Sequence, residues 1–500
     1  MRNTLIAVGL GLFVLAGSAQ AQDAKSVVDE TSKAMGAAGV TSLAYAGTAA
    51  DVNFLQTRNI NGPWPLRKIT DYVRILDLSQ TASRATGITS NQGLFGGAPV
   101  PGVFTQAITP ASATWTQQVD YWMTPWGFLR GAAANGATVK TRKIKGKTYR
   151  VVTWSPALKA PSGLPYTVNG YINDQRLVER VETWVNHDML GDMHVEVSYS
   201  DYKDLAGLKV PGRIVQNRGG FTFFDTTVTD ARPNPSNLTE LLNPPAAPGR
   251  AGGPAPGGAP AGGSAPAGGR GGALAAPAVA PEASTKLADG VYKINGAYNA
   301  LAVEFDEYIM VIEAGQNVAR GQAIVDEVKR LFPSKPIRYA VNTHPHSDHA
   351  GGLAPLVAAG ATLVTTDNNT AFFTRTFSAP RTLVGDELAK NRRKPKVEGI
   401  GKKRVFADKT HSVELYHIID ADIERVHSDG VLVAFLPKEK ILFQADFTLP
   451  QGGAKPNPFV QSLGEELGRL KLDFDTYLPV HNSPLQQTRK DLMTATGVSY

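Results

Sequence analysis

The sequence predicts two folded units of different class: a predominantly antiparallel β domain followed by an α/β domain. Three observations carry this. The chain has 500 residues, more than one compact core usually organises. Its Gly and Pro excess concentrates in Pro244 to Ala283, where Ala, Gly and Pro supply 34 of 40 residues. Before that tract apolar residues alternate at the strand period, and after it strand and helix periods take turns. With one Leu and one Val to bury, the tract cannot form a core and reads as a flexible linker; no repeat with an apolar face runs through it. The predicted organisation is a leader at 1–21, a β-rich domain at 22–243, a linker at 244–284 and an α/β domain at 285–500.

The leader has the charged start, apolar middle and small-residue exit of a cleavable signal peptide: Met1-Arg2-Asn3, then Leu5 to Ala16, then Gly17-Ser18-Ala19-Gln20-Ala21. Cleavage is expected after Ala21, and with it a periplasmic or secreted location. The apolar run falls short of the roughly 20 residues a spanning helix needs, and no second long run follows, so no integral membrane segment is expected in the mature chain. The absence of Cys excludes a lipid anchor, disulfides and thiolate chemistry. A composition 42% hydrophobic and 19% charged excludes a polytopic membrane protein and a chain disordered throughout. The net charge of +7, or +6 without Arg2, is spread without a run of five basic residues, so no nucleic-acid partner is expected.

In the first domain a helix is predicted near Ala24 to Met35. Strands follow at Thr167 to Ile172, Leu177 to Trp184, His194 to Tyr199, Arg213 to Val215 and Thr222 to Phe224, joined by turns such as Asn173-Asp174 and Gly219-Gly220. Over Tyr171 to Asp230 this run of hairpins resembles the open half-barrel of exported lipoprotein-carrier proteins, which would imply a concave sheet able to hold something apolar. Trp64, Trp115, Trp122, Trp126, Trp154 and Trp184 read first as core filling, and His187 and His194 as ordinary sheet residues.

In the second domain Ala300 to Phe305 and Tyr308 to Glu313 read as strands, and Ile324, Val325, Val328, Leu331 and Phe332 recur at helical spacing until Pro333 and Pro336. The strand Ile337 to Val341 then delivers the chain to Thr343-His344-Pro345-His346-Ser347-Asp348-His349-Ala350-Gly351-Gly352. A helix (Leu353 to Ala359) and strands (Thr362 to Thr365, Val413 to Ile419, Gly430 to Leu436, Lys440 to Phe443) continue the alternation. Seven of the nine histidines lie in the last 216 residues, and four good metal ligands fall within His344 to His349. On an extended strand end, alternation would put His344, His346 and Asp348 on one side with His349 turning across. One ion cannot use all four, whereas two ions could share them if more ligands arrived. Candidates stand at strand ends: His427 in His427-Ser428-Asp429-Gly430, Asp446 after Ile441 to Ala445, and His481 after Tyr477 to Val480. His411 and His417 compete with His427 but lack the His-Ser-Asp-Gly context.

In these residues the sequence resembles the metallo-β-lactamase superfamily: His-x-His-x-Asp-His, then a later His, an Asp and a final His, at spacings of 78, 19 and 35 after His349. The likeness covers about residues 289–500. It implies an αββα sandwich in which His344, His346 and His427 bind one metal, Asp348, His349 and His481 a second, and Asp446 bridges. It further implies two divalent cations, zinc first with iron or manganese as alternatives, and a shared hydroxide that attacks a small-molecule substrate while Asp348 orients it and passes its proton on. Asp446 resembles the lactonase, thioesterase and nuclease-like branches more than true β-lactamases, which carry Cys or Ser there. His346 stands where flavin-coupled diiron oxidases carry Glu, and export argues against RNA processing. No Gly-x-Ser-x-Gly elbow is present to support serine catalysis. The expectation is therefore hydrolysis of an ester, lactone or related small molecule. The alternatives are a β-lactam hydrolase and an envelope carrier for an apolar ligand with structural metal.

Overall fold

Upstream of the linker tract the chain forms one open antiparallel sheet of eleven strands. In spatial order these are Val100–Ile108, Ala82–Asn91, Arg67–Asp77, Ser42–Asp51, Phe221–Pro233, Arg213–Arg218, Gly191–Ser200, Val178–His187, Val168–Ile172, Lys147–Trp154 and Thr138–Ile144. The computed structural model describes residues 23–91, 100–244, 283–391, 394–420, 422, 425–450, 454–481 and 487–500, so the leader and nearly all of the linker tract lie outside the described residues. The strands predicted between Thr167 and Phe224 are all present. The sheet also takes in 42–108, where Ala-, Ser-, Thr- and Gly-rich runs such as Ala82–Asn91 carry too little apolar alternation to read as strands.

Helices 23–34, Trp115–Trp122 and Pro125–Ala134 pack on this sheet, and the short helix Leu238–Leu242 lies against strands Arg67–Asp77 and Ala82–Asn91. Trp115–Trp122 and Pro125–Ala134 start where a threonine caps them, Thr114 in a capping box with Gln117 and Thr124 ahead of Pro125. Phe128 lies against Gly170, where a methyl group would collide with its ring. Trp64, Trp115, Trp126 and Trp154 are buried core residues, whereas Trp184 is exposed. Inside the sheet a cavity of about 30 Å³ remains among Tyr72, Arg74, Asp120 and Tyr199, room for water and not for an apolar ligand. Its centre is polar: Asp120 accepts from Arg218 Nη2 at 2.6 Å and from Gln216 Nε2 at 2.9 Å. Trp115, Val119, Trp126 and Phe128 of the two capped helices are buried in the core against this sheet.

Downstream, two sheets stack face to face. One runs Ser284–Ala288, Val291–Ile294, Ala300–Glu304, Ile309–Ile312, Ile337–Val341, Thr362–Thr366, Val397–Ile400, antiparallel through its first four strands and parallel through its last four. The other runs Lys403–Ala407, Ser412–Ile418, Val431–Leu436, Ile441–Gln444, Thr476–Pro479, Gln487–Thr488. Val303, Met310, Ile312 and Val341 of the first sheet meet Leu415, Leu432, Ala434 and Phe443 of the second in one hydrophobic core. Helices Val318–Leu331 and Leu353–Ala358 cover the outer face of the first sheet, and Pro458–Leu470 with Arg489–Thr496 that of the second. This is an αββα sandwich, as expected. Among the described residues no helix is long and apolar enough to cross a membrane.

The two domains are not merely tethered. A single hydrophobic cluster runs from the upstream sheet to Ile324, Leu353 and Phe377 of the sandwich. Asp192 accepts from Thr382 N (2.9 Å), Thr382 Oγ1 (2.6 Å) and Leu383 N (2.8 Å), and the buried Arg381 donates to Asp188 O at 2.7 Å. His187 sits at this junction. Its Nδ1 accepts from Met189 N and Leu190 N, both at 3.2 Å, and its ring meets Phe54 edge-on. Burial, then the positive charges of Arg381 and Arg218, lower its pKa to about 4, so protonation would remove the acceptor that holds both amides. The unfolded chain, whose histidine titrates near about 6.5, takes up that proton first. The stability contributed by the neutral ring is therefore complete above about pH 6.5 and lost as pH falls toward 4. Thermal melts of metal-free protein at pH 7 and 4.5 should show a larger drop for wild type than for His187→Gln; equal drops would refute this.

Candidate metal centre

The parallel strand Ile337–Val341 ends inside the sandwich, and Thr343 continues beside the second sheet, its carbonyl accepting from Leu432 N at 2.7 Å. His344 follows outside regular secondary structure, and His346, in extended backbone, is the N-cap of a four-residue helix, Ser347–Ala350. Asp348 and His349 lie on that helical turn. Strand alternation therefore stops at His346 and does not put Asp348 on the side of His344 and His346. The helix can seat there because Gly351 and Gly352 follow: a methyl on Gly352 would collide with the Ala314 carbonyl oxygen. His427 lies four residues ahead of strand Val431–Leu436. Asp446 and His481 each stand two residues past a strand end, and Gln444 pairs with Pro479 in parallel register, so both reach the same edge of the sheet. Asp446 turns back into the site with φ +66°, the left-handed region that Asp tolerates better than most residues.

All seven predicted residues converge. Potential ligand atoms of His344, His346, His427 and Asp446 lie within 4.8 Å of one another, and so do those of Asp348, His349 and His481. Asp446 stands between the groups: Oδ2 lies 3.0 Å from His344 Nε2 and 2.7 Å from His427 Nε2, while Oδ1 lies 3.2 Å from His349 Nε2 and closely approaches His481 Nε2. His344 and His349 are completely buried, yet their Nε2 atoms make no hydrogen bond of good geometry. Buried imidazole nitrogens without hydrogen bonds, aimed at shared carboxylates, are the donor set zinc, iron or manganese takes, so these residues fit divalent cations.

An outer layer fixes which nitrogen of each ring faces inward. His349 Nδ1 donates to Glu313 Oε2 at 3.0 Å, which leaves Nε2 for the centre. The same carboxylate oxygen accepts from Thr343 Oγ1 at 2.6 Å, and Glu313 is completely buried. His346 donates Nε2 to the Thr57 carbonyl at 3.2 Å, so its Nδ1 turns inward, 3.1 Å from His427 Nε2. Tyr298 donates to Asp348 Oδ2 at 3.2 Å, and its ring packs on His349 and His481. The charges are strongly coupled. Burial, then His349, pulls His344 down to about 4, and burial with His344 and His427 holds His346 well below its ordinary value. Burial opposes charge on His349, but Asp446, Asp348 and Glu313 outweigh it and raise its pKa. Burial also opposes ionisation of Asp446, yet His349, His427 and His344 hold its carboxyl well below the usual range.

The competing histidines lie elsewhere. His411 Nε2 bonds to Asp289 O at 2.8 Å, and His417 bonds to the carbonyls of Gly401 and Asp429 at 2.8 and 3.1 Å. His194 meets Glu182 Oε2 at 3.3 Å on the upstream sheet, in a cluster with Glu196 rather than as an isolated sheet residue. Glu313, Tyr298, Gln56 and Thr57 are absent from the sequence reading as site residues. A carboxylate closing the apolar run Ile309-Met310-Val311-Ile312 is a usable signal for Glu313; no comparable signal marks the other three.

The downstream sandwich, with this cluster, is similar to the metallo-β-lactamase fold. Residues 295–481 match the family model described as the metallo-beta-lactamase superfamily. Among solved structures, a metallo-β-lactamase from Pontibacter korlensis is similar at 18% identity and TM-score 0.32, over 43% of this chain and 96% of that one. One from Hirschia baltica is similar at 19% identity and TM-score 0.31, over 43% and 95%. The FIM-1 enzyme from Pseudomonas aeruginosa, in its mono-zinc form, is similar at 16% identity and TM-score 0.31, over 43% and 92%. No curated protein matches the chain.

Proposed function

We propose that the protein is an exported hydrolase with a binuclear metal centre, most simply zinc, that cleaves an ester, lactone or related bond of a small molecule. His344, His346 and His427 would hold one cation, Asp348, His349 and His481 the other, with Asp446 between them. The observation that carries this reading is Asp446, whose two oxygens face separate ligand groups. A structural zinc site is closed and mononuclear, and would need neither the second group nor a carboxylate between the two.

When bound, the cations supply Lewis acidity, making a water nucleophilic near neutral pH and drawing charge from a substrate carbonyl or phosphoryl oxygen. The chain's residues do the rest. Glu313 and the Thr57 carbonyl keep His349 and His346 in one tautomer, so both rings present a lone pair without rearrangement. Asp348, held through Oδ2 by Tyr298, is the carboxylate placed to accept a proton from the attacking water and return it to the leaving group. His481 is about a third exposed while the other four histidines are buried, so substrate approach from its side is favoured.

Metal analysis and a substrate panel test the reading together. Reconstituted protein should bind two ions per chain and turn over a lactone or ester faster than nitrocefin. One ion with no turnover would overturn it, and nitrocefin cleavage rivalling lactone cleavage would move the substrate to β-lactams. The secreted form should begin at Gln22; retention of Leu5 to Ala16 would refute cleavage.

A further inference from the structure

The upstream β domain inserts one loop into the metal site of the sandwich. Between strands Ser42–Asp51 and Arg67–Asp77 the chain makes a long excursion, and residues 55 to 58 of it run along both histidine motifs. Leu55 O accepts from Ser347 N at 3.0 Å, Thr57 O lies 3.2 Å from His346 Nε2, and Arg58 O accepts from Asp429 N at 2.9 Å and from Ser428 Oγ at 3.2 Å. Gln56 lies between them and donates Nε2 to Asp348 Oδ1 at 2.7 Å and to Ser347 Oγ at 3.1 Å. The loop is held, not resting. Leu55 is completely buried in the left-handed region, φ +57°, a conformation a bulky residue keeps only when its surroundings impose it. Phe54 anchors it edge-on to Trp64, Phe223 and His187 of the upstream domain.

We propose that the upstream domain completes the metal centre from across the linker, with Gln56 as the positioning residue that sets the Asp348 carboxylate. This rests on the two-metal reading above. A carboxylate only accepts hydrogen bonds, so the amide nitrogen of Gln56 must face Asp348. With Oδ1 held by Gln56, Oδ2 is left pointing at Tyr298 and at His349 Nε2, 3.4 Å away, which is the orientation the second group of ligands requires. Outer-layer partners of metal ligands are worth about 10- to 100-fold in metal affinity or activity. Here that contribution comes from a domain about 290 residues earlier in the chain, so the sandwich alone would hold Asp348 only through Tyr298 at Oδ2 and would leave His346 without its acceptor.

The test uses the full chain, titrated with cobalt(II) and followed by its visible absorption and by competition with a chelating dye. Wild type should take up two ions. Gln56→Ala should weaken the second by about 10- to 100-fold and leave the first within about threefold. Gln56→Glu has nearly the same shape but puts a second carboxylate against Asp348, so it should be worse than Gln56→Ala; a residue that only packed would tolerate it. Both variants should melt within a few degrees of wild type when metal-free, since Gln56 is half-buried in a loop. Two ions bound with unchanged affinity and spectra in both variants would overturn the proposal while leaving the binuclear reading intact. Fewer than two ions in wild type would overturn the binuclear reading itself.

Discussion

Asp446→Asn is expected to reduce metal content from two ions to at most one per chain and to lower hydrolytic turnover by more than about 100-fold. Outer-layer partners are already worth 10- to 100-fold, and Asp446 touches both ligand groups directly. Asparagine is the informative replacement because Asp446 sits at φ +66°, a region Asn also accepts, so the backbone is not disturbed. What changes is charge. Five imidazoles and two carboxylates face two dications, and losing Asp446 halves the negative charge offsetting them. The amide also turns one acceptor into a donor aimed at imidazole nitrogens. The measurement is metal analysis of dialysed protein beside steady-state rates on the best panel substrate. An Asn variant that retained two ions and a rate within tenfold of wild type would remove Asp446 from the centre.

The seven inward-facing residues were legible in the sequence because their signature is ordinal. Histidine and aspartate at fixed order, each near a strand end, mark a site whatever loops intervene, and His427, Asp446 and His481 could be placed without knowing how the sheets stack. The strand Ile337–Val341 and the helix Leu353–Ala358 were equally readable, since apolar runs bounded by Pro or Gly report their own ends. Local geometry was less so: alternation assigned Asp348 to the face of His344, and the helical turn beginning at Ser347 reassigned it. The outer layer was hidden for a different reason. Gln56 and Thr57 are ordinary loop residues, and their meaning arises only when the upstream sheet docks through Asp192 onto Thr382 and Leu383 and through Asp188 onto Arg381. The same docking explains why a linker rich in Ala, Gly and Pro suffices: the interface, not the linker, fixes the geometry. The hairpins gave no sign of the two helices between Trp115 and Ala134, short and each capped by a threonine, whose Trp115, Trp126 and Phe128 pack into the core on the upstream sheet.

Glu313 is where stability and function meet. One of its oxygens accepts from Thr343 Oγ1 and from His349 Nδ1, and the other from Ala314 N, all within a site with no exposure to water. Glu313→Ala would strand an imidazole N–H and a hydroxyl in that interior and leave a void. Each unsatisfied donor costs about 1–3 kcal/mol, so the metal-free protein should lose roughly 2–5 kcal/mol of stability in urea denaturation. Glu313→Gln keeps the volume and one carbonyl acceptor, so it should lose less. It should still weaken the ion at His349 by about 10- to 100-fold, because a neutral acceptor neither fixes the tautomer nor enriches the ring's basicity as a carboxylate does. The pair of variants separates the two roles. If Glu313 served packing alone, Gln would restore metal affinity along with stability. If it orients the ligand, Gln should recover stability while affinity stays low. A Glu313→Ala protein within about 0.5 kcal/mol of wild type, the range of a neutral surface change, would show that water reaches this site and that the buried hydrogen bonds described here do not hold it together.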